Sequence, residues 1–300
     1  LTSHPSPDSP LAKKPSWLKV RFPSHSSFFA VSSLLNKHSL NTICRSAKCP
    51  NIAECWTEKT ATFLILGTTC SRDCTFCAVQ KGRPEPVSAD EPGHVAEAAA
   101  SLGLSYAVLT SVTRDDLDDG GASQFVRCLQ ALRERIAGVK IEVLVPDFGG
   151  NEAALKQVAD AAPDILGHNL ETAEVLYPSI RRPRSNYARS LAVLKKAKDW
   201  GSITKSGLMI GLGETEEDLF RTFQDLRHVS CDLLTIGQYL QPTRAHAPVK
   251  KYYTPQEFAC WKAVAMDMGF ADVESGPLVR SSFHAHRLYD KVVRTLKNLS

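Results

Sequence analysis

Short apolar runs alternate with longer stretches whose apolar positions recur every three or four residues, from residue 62 to residue 269. The short runs, at 62–66, 106–112, 141–146, 164–170, 203–211 and 232–240, read as strands buried on both faces. The periodic stretches between and after them, at 94–103, 123–136, 152–161, 187–200, 216–229 and 255–269, read as helices with one apolar side. Six strand–helix units of this kind predict a parallel sheet covered by helices, as an open sheet or an incomplete barrel. In either form chemistry collects at the C-terminal ends of the strands. Residues 271–300 do not read as a seventh unit, because a Gly-Pro turn and the polar stretch "SGPLVRSSFHAHR" occupy them. Residues 1–25, with five prolines and many serines, predict an extended or disordered arm.

Composition narrows the class only slightly. A chain that is 43% hydrophobic and 23% charged suits a globular protein in water. No apolar run approaches the ~18–20 residues of a membrane span, and residues 1–30 lack the apolar core of a secretory signal. We therefore expect no membrane partner and a cytoplasmic setting, or an organelle matrix if a transit peptide has been removed. Charge changes the picture more. Residues 1–53 hold seven bases (Lys13, Lys14, Lys19, Arg21, Lys37, Arg45 and Lys48) against Asp8 alone. Such a basic arm is either a solvated leader or a surface for an acidic partner.

The nine cysteines carry the chemistry. Cys128, Cys231 and Cys260 stand alone in apolar-patterned segments and read as small core residues. The other six fall into two tight triplets, which in a chain without export signals indicate metal or redox chemistry. Cys70, Cys74 and Cys77 sit in "GTTCSRDCTFCAV", directly after the first predicted strand. Three thiolates so close repel one another unless a cation or cluster neutralises them. A structural zinc wants a fourth ligand, and the nearest later histidine, His94, is far outside finger spacing. An iron–sulfur cluster on three cysteines keeps one iron open to a ligand.

The spacing C-x3-C-x2-C, with Phe76 just before the third cysteine, resembles the signature of the radical S-adenosylmethionine superfamily. The resemblance implies a 4Fe–4S cluster on Cys70, Cys74 and Cys77 whose open iron chelates S-adenosylmethionine. Reductive cleavage then yields a 5′-deoxyadenosyl radical able to take hydrogen from an unactivated C–H bond, which no side chain does by proton chemistry. The second triplet, Cys44, Cys49 and Cys55 in "CRSAKCPNIAEC", resembles the auxiliary-cluster motif of the lipoyl synthase family. "VLTSVTRDDLDDGGA", "HNLET", "KSGLMIGLGET", "TIGQYLQPT" and "GPLVRSSFHA" are similar to segments of that family, so the resemblance covers about residues 40–286.

This resemblance implies an α/β fold, a partial (β/α)6 TIM-like barrel with N-terminal and C-terminal extensions covering the barrel mouth. It divides the chain into an extended basic arm (1–30), an extension with the auxiliary cysteines (31–61), the barrel (62–270) and a C-terminal extension (271–300). It implies two 4Fe–4S clusters, the second completed by a serine of "RSSF". The candidates are Ser281 and Ser282, and Ser282 is preferred. A serine oxygen is a hard ligand on a sulfur-rich cluster and should leave readily. Phe283 stands where the family usually carries Tyr. The implied reaction inserts sulfur at C6 and C8 of a protein-bound octanoyl chain, consuming the auxiliary cluster, and requires both triplets and the serine to meet over the barrel mouth.

Asn169 and Glu171, ending the fourth predicted strand, are candidates for S-adenosylmethionine contacts, although Glu171 could equally begin a helix. Arg280 is a candidate for holding the carrier backbone or orienting the serine. The "RDDLDDGG" carboxylates could hold the cofactor's amino group or cap a helix. Gly120 and Gly121 suit close approach to a ligand or an ordinary turn. "RRPRSNY" (181–187) is a basic loop, either solvated or facing an acidic carrier. Implied partners are octanoylated lipoyl-carrier domains (2-oxoacid dehydrogenase E2 subunits and the glycine cleavage carrier protein), an electron donor such as ferredoxin or flavodoxin, and an iron–sulfur cluster carrier. No nucleic acid is expected, since no extra domain follows residue 286. The rival readings are a biotin synthase-like or RNA methylthiotransferase-like enzyme, a two-cluster electron carrier, and a zinc-binding interaction module.

Overall fold

All four residues of Thr62–Ile65 and all six of Leu233–Gln238 are buried, as strands covered on both faces must be. The computed structural model describes residues 14–19, 26–38, 40–57, 62–180, 184 and 186–297. Ahead of the barrel come α1 (Ser26–Lys37), β1 (Asn41–Thr42), α2 (Ile43–Ser46) and α3 (Ile52–Thr57). Then follow β2 (Thr62–Ile65), a ribbon of β3 (Thr69–Cys70) and β4 (Gln80–Lys81), α4 (Glu91–Leu102), β5 (Tyr106–Ser111), α5 (Ala122–Arg135), β6 (Lys140–Leu144) and α6 (Glu152–Asp160). The chain continues through β7 (Ile165–Gly167), α7 (Tyr177–Ile180), α8 (Tyr187–Asp199), β8 (Thr204–Ile210), α9 (Glu216–His228), β9 (Leu233–Gln238), α10 (Pro255–Asp267), β10 (Asp272–Gly276) and α11 (Ala285–Lys297).

Every predicted strand and helix is present, with shifts at the ends. The helices start where the sequence supplies caps: Thr215 with Asp218, and Thr254 with Glu257, form reciprocal capping boxes, and Asn151 and Asn186 accept from Ala154 N and Arg189 N. The sheet order is β1-β2-β5-β6-β7-β8-β9-β10. β2 and β5 to β10 run parallel, while β1 is antiparallel to β2. The sheet is thus an open TIM-like barrel, as expected.

Residues 271–300 depart from expectation. β10 adds to the sheet beside β9 and α11 follows it, so a seventh strand and helix exist. β10 buries only its first two residues, too short an apolar signal for a strand. The helix was legible: Ala285, Leu288 and Val292 lie on one face and are buried. Leu288 and Val292 pack on Ile165 and Leu233, at the starts of β7 and β9, and stopper the barrel floor. Just inside, Lys205 Nζ donates to Glu142 Oε1 at 2.8 Å and Tyr106 donates to Glu142 Oε2 at 2.8 Å.

The seam between β10 and β1 is closed by hydrogen bonds to side chains. Asn51 Nδ2 donates to the Leu278 carbonyl at 2.6 Å, and Thr62 Oγ1 to Ser282 Oγ at 2.8 Å. Part of the basic arm is docked too. Trp17 donates from its indole to the Tyr253 carbonyl at 3.2 Å, and Leu18 is buried; Lys13 and Arg21 lie outside the described residues. Cys128 and Cys231 are buried as expected, whereas Cys260 on α10 is exposed. Among the described residues, no helix is long and apolar enough to cross a membrane.

Candidate active site

After β2 the backbone turns through Leu66 and Gly67, both at positive φ, and enters the cysteine loop. Pairing of β3 with β4 closes that loop, so residues 70–79 form a short, clamped arch. Thr75 donates from N and Oγ1 to the Ile180 carbonyl, and its own carbonyl accepts from Ala247 N. The His246 ring lies 3.1 Å from the Cys77 carbonyl. Arg72, unremarked in the sequence, ties the arch to two barrel strands. Its guanidinium donates to Asp115 at 2.8 Å and to Asp147 at 2.6 Å. The backbone N–H groups of Arg72 and Thr113 both point at Cys70 Sγ, each at 3.4 Å, and such donors favour a thiolate.

Burial, and then the charges of Cys74, Glu171 and Cys70, push the Cys77 thiol up to about 12. A thiol raised in this way is stabilised as a thiolate once a metal centre takes its charge. Among the described residues, no three His, Cys, Asp or Glu side chains converge as a single ion requires. His94 instead lies beside His38, ring to ring at 6.2 Å. The donor set, all sulfur, with N–H groups aimed at one thiol and an open side on a cavity, fits an iron–sulfur cluster better than zinc.

The second triplet is held by the extension. Cys49 N bonds the Cys44 carbonyl and Cys55 N bonds the Asn51 carbonyl, so two tight turns gather the three cysteines. Burial and Cys49 push Cys44 up to about 11, while the Thr62 backbone and the Trp56 indole hold it down. Burial also raises Cys49, against the nearby Arg280 guanidinium. Cys44 therefore lies at the start of β2, whereas Cys70 follows its end. The four residues of β2 set the triplets apart by roughly 13 Å along the strand. The extensions do meet, as expected, but their meeting point is beside the start of β2, and the cavity runs from there to the cysteine loop.

That cavity holds about 550 Å³ and is lined by both triplets, Phe76, Asn169, Glu171, Arg280, Ser281, Ser282 and Phe283. Asn169 Nδ2 donates to Glu171 Oε1 at 3.1 Å and to Ser281 Oγ at 2.6 Å. Glu171 begins no helix. It sits at φ 69°, pinned to β8 through Glu171 N to Gly207 O and Met209 N to Glu171 O. Such a conformation costs about 1–3 kcal/mol, and here it brings the carboxylate to the cavity. Arg280 donates to the Val279 carbonyl, and its charge is felt by Cys49 and Glu171. Phe283 stacks on His284 at 3.8 Å.

Two glycines inside strands let the C-terminal segment pass through the barrel. A Cβ on Gly237 would stand 2.1 Å from the Val279 carbonyl, and one on Gly207 3.0 Å from Ser281 Oγ. Glycine in a strand interior is the signal that could have found them. Three of the four "RDDLDDGG" carboxylates are occupied within the fold: Asp115 by Arg72, Asp116 by Arg114, and Asp119 by Gly121 N and Ser123 N at the start of α5. Gly121 serves packing, since its Cβ would stand 2.2 Å from Leu66. Glu214, also overlooked, accepts from the backbones of Gly211, Leu212 and Gly213, shaping the loop after β8. Of the basic loop, Arg184, Asn186 and Tyr187 are described, and residues 181–183 and 185 lie outside the described residues.

Comparison with known proteins agrees with this geometry. The Radical SAM superfamily model matches residues 64–226. Lipoyl synthase of Rubrobacter xylanophilus is 53% identical over 91% of this chain and 85% of its own length. Lipoyl synthase of Chlorobaculum tepidum is 53% identical over 91% of this chain and 94% of its own. The FeFe-hydrogenase maturase HydG from Carboxydothermus hydrogenoformans is 11% identical, with a TM-score of 0.56 over 89% of this chain and 78% of its own, a likeness of fold. With both cysteine triplets facing one cavity inside a partial barrel, and with this identity over nearly the whole chain, the protein belongs to the lipoyl synthase family of the radical SAM superfamily.

Proposed function

We propose that this chain completes the lipoyl cofactor on an octanoylated carrier protein by inserting sulfur at C6 and C8, and that its two triplets divide the work. The observation that carries the reading is that both triplets and both serines line one cavity. When bound, S-adenosylmethionine and two 4Fe–4S clusters supply the electron, the hydrogen-abstracting power and the sulfur that side chains lack. Cys70, Cys74 and Cys77 hold the first cluster, and the N–H groups of Arg72 and Thr113 favour the thiolate form of Cys70. Cys44, Cys49, Cys55 and Ser282 hold the second.

Ser282 is favoured over Ser281 because Thr62, whose backbone touches Cys44, bonds Ser282, whereas Ser281 is engaged by Asn169. Asn169 and Glu171 bind S-adenosylmethionine, with Phe76 beside them. Arg280, between Cys49 and Glu171, orients the serine ligand. Leu64, Val112, Leu144 and Leu208 give the cavity apolar walls. Each methylene of an octanoyl chain buried there gains about 0.8 kcal/mol.

The division into arm (1–30), auxiliary extension (31–61), barrel (62–270) and C-terminal extension (271–300) follows these roles, with β10 completing the sheet before the extension crosses the seam. Clustered free thiols suit a reducing, cytoplasmic setting. An electron donor of the ferredoxin or flavodoxin kind and an iron–sulfur carrier complete the set. Anaerobic incubation of the reconstituted protein with S-adenosylmethionine, dithionite and an octanoylated carrier peptide should give a peptide heavier by two sulfurs. Cleavage of S-adenosylmethionine with no sulfur in the peptide would reject sulfur insertion in favour of other radical chemistry, and no cleavage at all would favour electron transfer.

A further inference from the structure

A second cavity, of about 460 Å³, adjoins the first. Its walls come from residues 113–117 after β5, residues 146–149 after β6 and the start of α8. Arg72 and Thr113 line both cavities, so the Arg72–Asp115 pair is the partition between them. Four arginines face this space, in two kinds. Arg72 and Arg114 are nearly buried and closely paired, Arg72 with Asp115 and Asp147, Arg114 with Asp116 and the Leu66 carbonyl.

Arg184 and Arg189 differ. They are 70% and 35% exposed, and their ion pairs, to Asp115 at 3.7 Å and to Asp147 at 3.4 Å, are longer than the ~2.7–2.9 Å of a strong charge-assisted bond. Both of those carboxylates are already engaged at 2.6–2.8 Å by Arg72, which offsets one of the two charges, so Arg72, Arg184 and Arg189 together exceed Asp115 and Asp147 by a single positive charge. The rim is left with two planar guanidinium forks loosely held, and such forks match carboxylates.

We propose that Arg184 and Arg189 form a docking point for an acidic segment of the carrier protein, next to the acylated lysine. The inference rests on the sulfur-insertion reading above. A lysine carrying the acyl chain enters the first cavity, and its neighbours along an extended carrier segment lie about 3.3 Å per residue to either side. Carboxylates one or two positions away then fall across the partition, over the second cavity. The arginines select the carrier and set its register, and they take no part in hydrogen abstraction or sulfur transfer.

The test uses the reconstituted holoenzyme and two octanoylated probes: a folded carrier domain with acidic residues beside the lysine, and an octanoyl-lysine tripeptide with none. Binding is measured by titration without reductant. The Arg184→Glu variant, changed at a mostly exposed position, should bind the carrier domain about 5-fold more weakly, and Arg184→Glu with Arg189→Gln at least about 10-fold more weakly. Tripeptide binding should be unchanged, and added salt should weaken wild-type binding of the carrier domain only. Unchanged carrier binding in both variants would overturn the proposal. So would equal weakening for both probes, which would place the effect in the reaction cavity. A wild-type protein that cleaves S-adenosylmethionine but thiolates neither probe removes the reading beneath the proposal, and a wild type that thiolates both, with unaltered variant binding, removes the proposal alone.

Discussion

The loop at residues 70–77 and the extension at residues 44–55 each present three thiols, and the fold treats them differently. The loop is clamped by the β3–β4 ribbon and bound to Ile180, Ala247, Thr113, Asp115 and Asp147. Its supports are strand ends of the barrel itself. The extension stands on short helices and on a C-terminal segment that reaches it through Asn51, Thr62 and Arg280. A centre that fires repeatedly needs fixed supports, whereas one that surrenders its sulfur and is rebuilt needs a wall that opens. The proposed function assigns that role to the seam between β10 and β1, which is closed by side chains.

The largest effects come from removing ligands. Alanine at Cys70, Cys74 or Cys77 should abolish 5′-deoxyadenosine formation, measured by chromatography after reconstitution. Alanine at Cys44, Cys49 or Cys55 should leave that cleavage largely intact while no sulfur reaches the octanoyl chain. Loss of cleavage in the second set would erase the distinction between the regions.

Support is the next level. Arg72→Leu leaves Asp147, which is 2% exposed, with the Gly149 N–H bond and the longer Arg189 pair, and should cost about 3–5 kcal/mol in denaturant unfolding. Asn51→Ala leaves the Leu278 carbonyl without its side-chain donor and should cost about 1–3 kcal/mol. The first variant should lose S-adenosylmethionine cleavage more than it loses auxiliary iron, and the second the reverse. Equal loss of both in each variant would mean that the two regions open as one.

How much of this was legible follows from range. The strands and the cysteine spacings are local patterns, and the sequence displayed both. β10 stayed hidden because an edge strand with two buried residues carries almost no apolar signal. Arg72, Gly207 and Gly237 stayed hidden because each matters through a partner far away in sequence: Asp147, Ser281 and Val279. The place of Glu171 at the end of the fourth predicted strand marks it as a candidate, but its left-handed backbone depends on bonds to β8 that no neighbour in sequence announces.

Smaller effects separate the serines. Ser282→Ala should lower sulfur insertion about 10–100-fold, the usual cost of disturbing a metal centre, with cleavage retained. Ser281→Ala removes one hydrogen bond to Asn169 and should cost only about 5-fold. The reverse order would make Ser281 the ligand.

The smallest effect is on acid stability. Burial alone would raise Asp147 and Asp115, but the Arg72 guanidinium outweighs it and holds both below their ordinary value. The unfolded chain takes up those protons first, near pH ~4. The stability from the pair is therefore full above that pH and is lost as pH falls through the lower folded value. Thermal melts of Asp147→Asn should fall less steeply below pH ~4 than those of the wild type, while those of Asn51→Ala should keep the wild-type slope.

The division of labour between the regions is tested most directly by isotope. The protein is loaded with clusters built from heavy-isotope sulfide, freed of excess sulfide, and given S-adenosylmethionine, dithionite and an octanoylated carrier peptide. Mass measurement should show both inserted sulfurs labelled, with no more than one lipoyl group formed per chain, and with the cluster on Cys70, Cys74 and Cys77 still able to cleave S-adenosylmethionine afterwards. Unlabelled sulfur in the product, or many lipoyl groups per chain without added sulfide, would contradict a sacrificial cluster on Cys44, Cys49, Cys55 and Ser282.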